Sequence, residues 1–283
     1  MTTDVWRLDQ LDLHAYLARL GLSAQAPSRT ALDELHEQHV RTFTFDNVDV
    51  LLQQHSGVAL ETVQEKFVVQ RRGGYCFEHS TLLAAALERL GYQVLRRLAR
   101  VHDAASSTTL GRTHLVVEVV LDGLRLLCDP GFGMSLLRPI ALVDGHEEVQ
   151  DGWRFRITQT DEPTAWRLYR DRGDAWELVH TTDELKVVPE DIVIGHHYTS
   201  TFPGSHFTRG LVAARHLPGR HITVTATTVT VRRPGLPTEH RALESGELPA
   251  WLDLLDAGLT GDETSRLLGR LGIKQVVASE VSP

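Results

Sequence analysis

The chain is short of the features that define several large protein classes. Its 283 residues hold only two cysteines, Cys76 and Cys128. That is too few for a disulfide framework, and a reducing compartment fits better. It also lacks a basic excess: 29 Lys and Arg stand against 37 Asp and Glu, a net charge of −8. A nucleic-acid phosphate backbone is therefore a poor partner. No stretch approaches the roughly 18 apolar residues that would span a bilayer. The opening MTTDVWRLDQLDLHAYLARLG has neither the basic start nor the apolar run of a signal peptide, so a cytoplasmic location is expected. There is no phosphate-binding P-loop and no G-x-G-x-x-G after a strand, which disfavours a nucleotide-driven enzyme. The fifteen histidines are scattered, with no H-E-x-x-H and no paired C-x-x-C. No metal site is expected, and most of the histidines read as surface residues.

What is present is ordinary globular material, 42% hydrophobic and 23% charged. Apolar residues recur at helical spacing through the first 91 positions. Asp9 is a candidate cap for DLHAYLARLGL, and Ser28 for TALDELHEQHVRTF. FDNVDVLL reads as extended with a turn at Asp46-Asn47, and ETVQEKFVVQRR as a third helical stretch. A further helix, TLLAAALERL, is stopped by Gly91. Beyond it the period becomes two, or the apolar run continuous. YQVLRRLARVH, THLVVEVVLDG and LRLLCDP read as strands, the last two joined by a hairpin turn at Asp122-Gly123. WRFRITQT, AWRLYRD and AWELVHT extend the series, as expected of an antiparallel sheet or barrel. PEDIVIGHHYTSTF reads as a connecting helix with Pro189 near its start. Strand-like HITVTATTVTVRR and two helices, LPAWLDLLDAGL and ETSRLLGRLG, follow.

Chemistry concentrates in RRGGYCFEHS, residues 71–80. Cys76 lies at a helix start, where unpaired N–H groups and the positive end of the macrodipole favour a thiolate. Gly73 and Gly74 allow a sharp turn and close backbone approach. Positions pairing across the Asp122-Gly123 turn sum to about 245, so His114 and Asp129 fall at the same end of one hairpin. A thiol, an imidazole and an orienting carboxylate are the parts of a cysteine acyl-transfer site. Cys128, inside an apolar strand, reads as an inert buried thiol, and Arg71, Arg96 and Arg97 as surface charges.

RGGYCFEH, THLVVEV and DPGFG, in this order and at these intervals, resemble the arylamine N-acetyltransferase family. FDNVDVLL and TSTFPGSHF are similar to two further segments of that family, and the resemblance covers roughly residues 5–275. It implies an α+β fold: a helical bundle over residues 1–91, an antiparallel β-barrel with a connecting helix over 92–199, and an α/β lid over 200–283. It implies Cys76, His114 and Asp129 as a papain-like catalytic triad. Acetyl-CoA would be the acyl donor, with aromatic amines or hydrazines as acceptors. Phe132 and Phe207 would line the acceptor pocket, ordinary core packing being the alternative. Gly111, Arg112 and Thr113, in the segment STTLGRTH, would meet coenzyme A. Two departures are expected to be structural. Ser80 stands where the family has Asn, and Asp46 where it has the Glu that pairs with the arginine at Arg72. An amide synthase closing a polyketide-type macrolactam, a cysteine protease and a non-enzymatic binding module are the competing readings.

Overall fold

The computed structural model describes residues 4–102, 111–134, 136–160 and 164–273. The helical N-terminal part comprises α1 (Leu13–Leu20), α2 (Arg29–Thr42), α3 (Val48–Leu51), α4 (Leu60–Gln64) and α5 (Cys76–Arg89). Asp12, not Asp9, caps α1, its carboxylate accepting from the Ala15 N–H at 2.9 Å; Ser28 caps α2. FDNVDVLL is only briefly extended: β1 (Phe45–Asp46) turns at once into α3. ETVQEKFVVQ is α4 running into a π-helical turn, Glu65–Val69, which faces Lys66 and Phe67 inward.

The central sheet has eight antiparallel strands: β2 (Gln93–Val101), β3 (His114–Leu121), β4 (Leu124–Cys128), β5 (Ile140–Ala141), β6 (Glu147–Gln150), β7 (Trp153–Thr160), β8 (Ala165–Asp171) and β9 (Trp176–Asp183). Its order, β5-β4-β3-β2-β9-β8-β7-β6, curls into a nearly closed barrel. The β3–β4 register pairs Val117 with Cys128 and Leu121 with Leu124, so paired numbers sum to 245 as the turn dictates. Strand β3 is buried on both sides, which explains its continuous apolar run. Val116 packs into the barrel with Phe155 and Ile157, while Val117 and Val119 pack against Leu83 and Leu87 of α5.

After α6 (Pro189–Thr201) and α7 (His206–Arg209) comes a second sheet: β10 (Val212–Leu217), β11 (Arg220–Thr225), β12 (Thr228–Arg232) and β13 (Glu239–Ala242). HITVTATTVTVRR is therefore two strands of a hairpin rather than one run. Strand β1, from the N-terminal part, pairs with β10 through Phe45 and Ala214. The helices α8 (Glu247–Leu254) and α9 (Gly261–Arg270) cover this sheet, with Leu252, Leu255 and Leu267 against Ile222 and Val224. None of the described helices is long and apolar enough to cross a membrane.

Candidate active site

The start of α5 is built by close backbone approach. A side chain at Gly73 would overlap the Thr44 carbonyl, and one at Gly74 the Glu78 carboxylate. Glu78 uses that space to accept from the Tyr75 N–H at 3.0 Å, closing the helix start. Cys76 thus begins the helix, nine-tenths and more buried, its Sγ 3.7 Å from the Thr113 carbonyl oxygen. Gly131 of the DPGFG turn lies against the same point: a Cβ there would sit 2.7 Å from the Cys76 Cα.

His114 opens β3 and Asp129 follows β4, as the register requires. His114 Nε2 is 2.8 Å from Asp129 Oδ1, and both side chains are buried. Burial alone would depress the imidazole, but the Asp129 carboxylate and the Cys76 sulfur outweigh it and raise its pKa to about 10. The same ion pair holds the Asp129 carboxyl below the usual range in spite of burial. With Nε2 donating to Asp129, the other ring nitrogen is left for the sulfur.

A third group was not legible in the sequence. His180, on β9, is fully buried, with Nε2 3.2 Å from the second Asp129 oxygen and Nδ1 3.1 Å from the Thr182 hydroxyl. Burial lowers its pKa, so it is a neutral donor at Nε2 and accepts the Thr182 proton at Nδ1. His114, Asp129 and His180 offer ligand atoms within 4.8 Å of one another. Hydrogen bonds from both imidazoles to the carboxylate account for that clustering. Strand β9 pairs with β2, Val101 opposite His180, from some eighty residues along the chain, so nothing local in the sequence announced His180.

The sequence also misled about charge and burial. Arg72 does not pair with Asp46; it bonds Asp49 at 2.6 Å and Glu263 at 2.5 Å. Asp46 instead accepts the Val48 N–H at 3.0 Å, and burial raises its carboxyl to about 6. The α3 turn explains the exchange, since it rotates Asp49 toward Arg72. Lys66 joins Asp49 at 2.8 Å to Glu78 at 2.7 Å, completing a buried network beneath the cysteine loop. Ser80 donates to the Leu115 carbonyl at 2.6 Å, tying α5 to the strand that carries His114. Arg96 is not a surface charge: it is buried, bonded to Glu88 and 3.9 Å from the Trp6 ring centre. Arg97 is half-buried on Glu118. Histidines 36, 39, 79, 114, 180, 216 and 221 are all buried rather than on the surface.

A cavity of about 550 Å³ opens on Cys76 and His114. Phe132 lines it with its ring edge-on to His114, centres 5.3 Å apart; Phe207 lines it while touching Phe45 and Tyr75. Gly111 and Thr113 also line it, whereas the Arg112 guanidinium is held by Asp183 at 2.8 Å. Residues 107–110 of the segment STTLGRTH lie outside the described residues. Cys128 is fully buried in β4, and burial pushes its thiol pKa up.

A family model described as N-acetyltransferase matches residues 30–254. The arylamine N-acetyltransferase of Escherichia coli is 33% identical over 234 residues, covering 82% of this chain and 83% of its own. Among solved structures, the arylamine N-acetyltransferase of Nocardia farcinica is 36% identical with a TM-score of 0.87, covering 93% of this chain and 95% of its own. That of Mycobacterium marinum in complex with CoA is 28% identical with a TM-score of 0.85, covering 92% and 98%.

Proposed function

The chain belongs to the arylamine N-acetyltransferase family, and from that premise we infer that it moves an acetyl group from acetyl-CoA to the nitrogen of an arylamine or arylhydrazine. It is an acyltransferase acting on small aromatic amines and coenzyme A. We assign the chemistry to Cys76, His114 and Asp129. The observation that carries the assignment is the buried His114–Asp129 pair at 2.8 Å in the cavity that Cys76 opens on.

In this reading Cys76 passes its proton to His114 and its sulfur attacks the acetyl carbonyl. The bond to the coenzyme A sulfur breaks, and that sulfur leaves with the proton returned by His114. The amine nitrogen then attacks the Cys76 thioester, His114 accepts the amine proton, and the cysteine is released. Asp129 fixes the imidazole tautomer and stabilises the imidazolium. The first N–H groups of α5 have no intrahelical partner and suit the developing oxyanion. Phe132 and Phe207 would hold the arene, and Gly111 to Thr113 would meet the coenzyme A arm. Two free thiols and an acetyl-CoA donor are the grounds for a cytoplasmic setting.

One nucleophile serving donor and acceptor in turn requires ping-pong kinetics. Initial-rate plots at several arylamine concentrations should be parallel. Intersecting lines would mean that both substrates bind before transfer and would overturn the covalent route.

A further inference from the structure

A second cavity, about 610 Å³ in volume, lies beneath the cysteine loop and shares no lining residue with the one that opens on Cys76. Among the described residues five carboxylates line it against two cations, Lys66 and Arg72, so three negative charges are left over. The inner three carboxylates are occupied. Lys66 joins Asp49 to Glu78, and Arg72 joins Asp49 to Glu263. The outer two are not in an ion pair with any described residue. Glu61 accepts the neutral Gln10 amide and Glu65 the neutral Gln70 amide, each at 3.3 Å.

An independent feature points the same way. Gln64 lines the cavity with these two glutamates and is 8% exposed, and its buried Oε1 has no hydrogen-bond partner among the described residues. A buried acceptor left unpaired is costly, and a donor entering the cavity would satisfy it. Glu61, Gln64 and Glu65 stand three and four residues apart on α4 and its π-helical continuation, so they share one face. Two full negative charges and an unpaired acceptor in a partly desolvated cleft favour a cation that donates hydrogen bonds. A compact ion fits poorly, because Ca²⁺ or Mg²⁺ calls for about six oxygens gathered at one point. Among the described residues the one close-set group of metal-ligating side chains is His114, Asp129 and His180, at the catalytic site. Acceptors spread along a helix face suit a cation whose N–H groups are spread along a chain.

We propose that this cavity binds a linear aliphatic polyamine, with ammonium groups at Glu61 and Glu65 and an N–H donated to Gln64 Oε1. Aliphatic amines carry their charge at neutral pH and arylamines do not, so this ligand is not the acyl acceptor. The proposal goes beyond the acetyl-transfer reading and stands without it. A ligand that binds the folded chain alone stabilises it by mass action. Here it would do so next to Glu78, which closes the start of α5.

Spermidine is the probe, titrated calorimetrically into the full chain. The wild type should bind one equivalent with a Kd below about 1 mM, and more weakly as salt is raised. Its melting temperature should rise by an amount that MgCl2 at equal ionic strength does not reproduce. Glu61→Gln combined with Glu65→Gln changes two exposed side chains. That variant should fold normally and bind spermidine at least about 10-fold more weakly. Gln64→Met removes an unpaired polar atom from a buried place, so it should keep or raise the melting temperature and still weaken spermidine binding. A merely structural glutamine would not split the two. No heat of binding to the wild type, an equal shift with MgCl2, or undiminished affinity in either variant would each overturn the site. Acetylation of the wild type by acetyl-CoA without polyamine checks the reaction itself and is independent of these outcomes.

Discussion

Asp129 is the most exposed point of the account at the level of single residues. Its two oxygens hold His114 and His180, and it is fully buried. Asn in its place would keep the shape but present an amide to two imidazole N–H donors, favouring the wrong tautomer at His114. In a related triad that change costs about 10⁴ in turnover. Asp129→Asn should lower the rate of Cys76 acetylation at least about 10²-fold with an unchanged circular dichroism spectrum, and near wild-type rates would remove Asp129 from the triad. His114 and Asp129 were legible because hairpin arithmetic is local: a two-residue turn fixes which residues lie opposite. His180 was not, because it reaches Asp129 through the long-range pairing of β9 with β2. Arg96 was misread because a charged residue in a strand gives no sign of the Glu88 and Trp6 that bury it.

Among the elements, the cysteine loop depends on the network beneath it. The Lys66 ammonium sits between Asp49 and Glu78, with side-chain exposures of 10%, 9% and 2%. Burial opposes its charge, but the surrounding carboxylates outweigh that and raise its pKa; the same contacts lower that of Glu78. Lys66→Met would leave two buried carboxylates with less compensation, a loss of about 3–5 kcal/mol. At about 2–4 °C per kcal/mol for a chain of this size class, the melting temperature should fall by roughly 10 °C. A shift of a degree or less would mean that Arg72 and water suffice. The sequence showed the α5 start through Gly73 and Gly74, whose missing side chains admit Thr44 and Glu78. It hid the α3 turn, because four residues of FDNVDVLL are too few to display a helical period. That omission produced the wrong partner for Arg72.

For the whole molecule, the buried histidines set the response to acid. Tyr16, His39, His79 and the Thr44 carbonyl form one internal chain, with Tyr16 to His39 at 2.8 Å, His39 to His79 at 3.0 Å and His79 to Thr44 at 3.3 Å. Burial lowers His36 and His79 from 6.5 to about 4. The unfolded chain therefore binds more protons than the folded one between about pH 6.5 and 4, and stability falls as pH is lowered through that window. Each contributes on the order of 3 kcal/mol. Asp46, raised from 3.8 to about 6, acts in the opposite sense, because its folded form keeps its proton longer. Two histidines against one carboxyl leave a net loss, so melting temperatures should drop steeply between pH 6.5 and 4, and a flat profile would refute the neutral buried imidazoles. The barrel and bundle were legible from the change of period at Gly91, but the fit of both sheets around one cleft was not, since β1 meets β10 from far along the chain. The central claim is that this assembly carries an acetyl group on Cys76 alone. Mass spectrometry of the intact chain after incubation with acetyl-CoA should find one added acetyl group, mapped to Cys76, absent in Cys76→Ser and removed by an arylamine. An unchanged mass in the wild type, or an acetyl group mapped elsewhere, would contradict it.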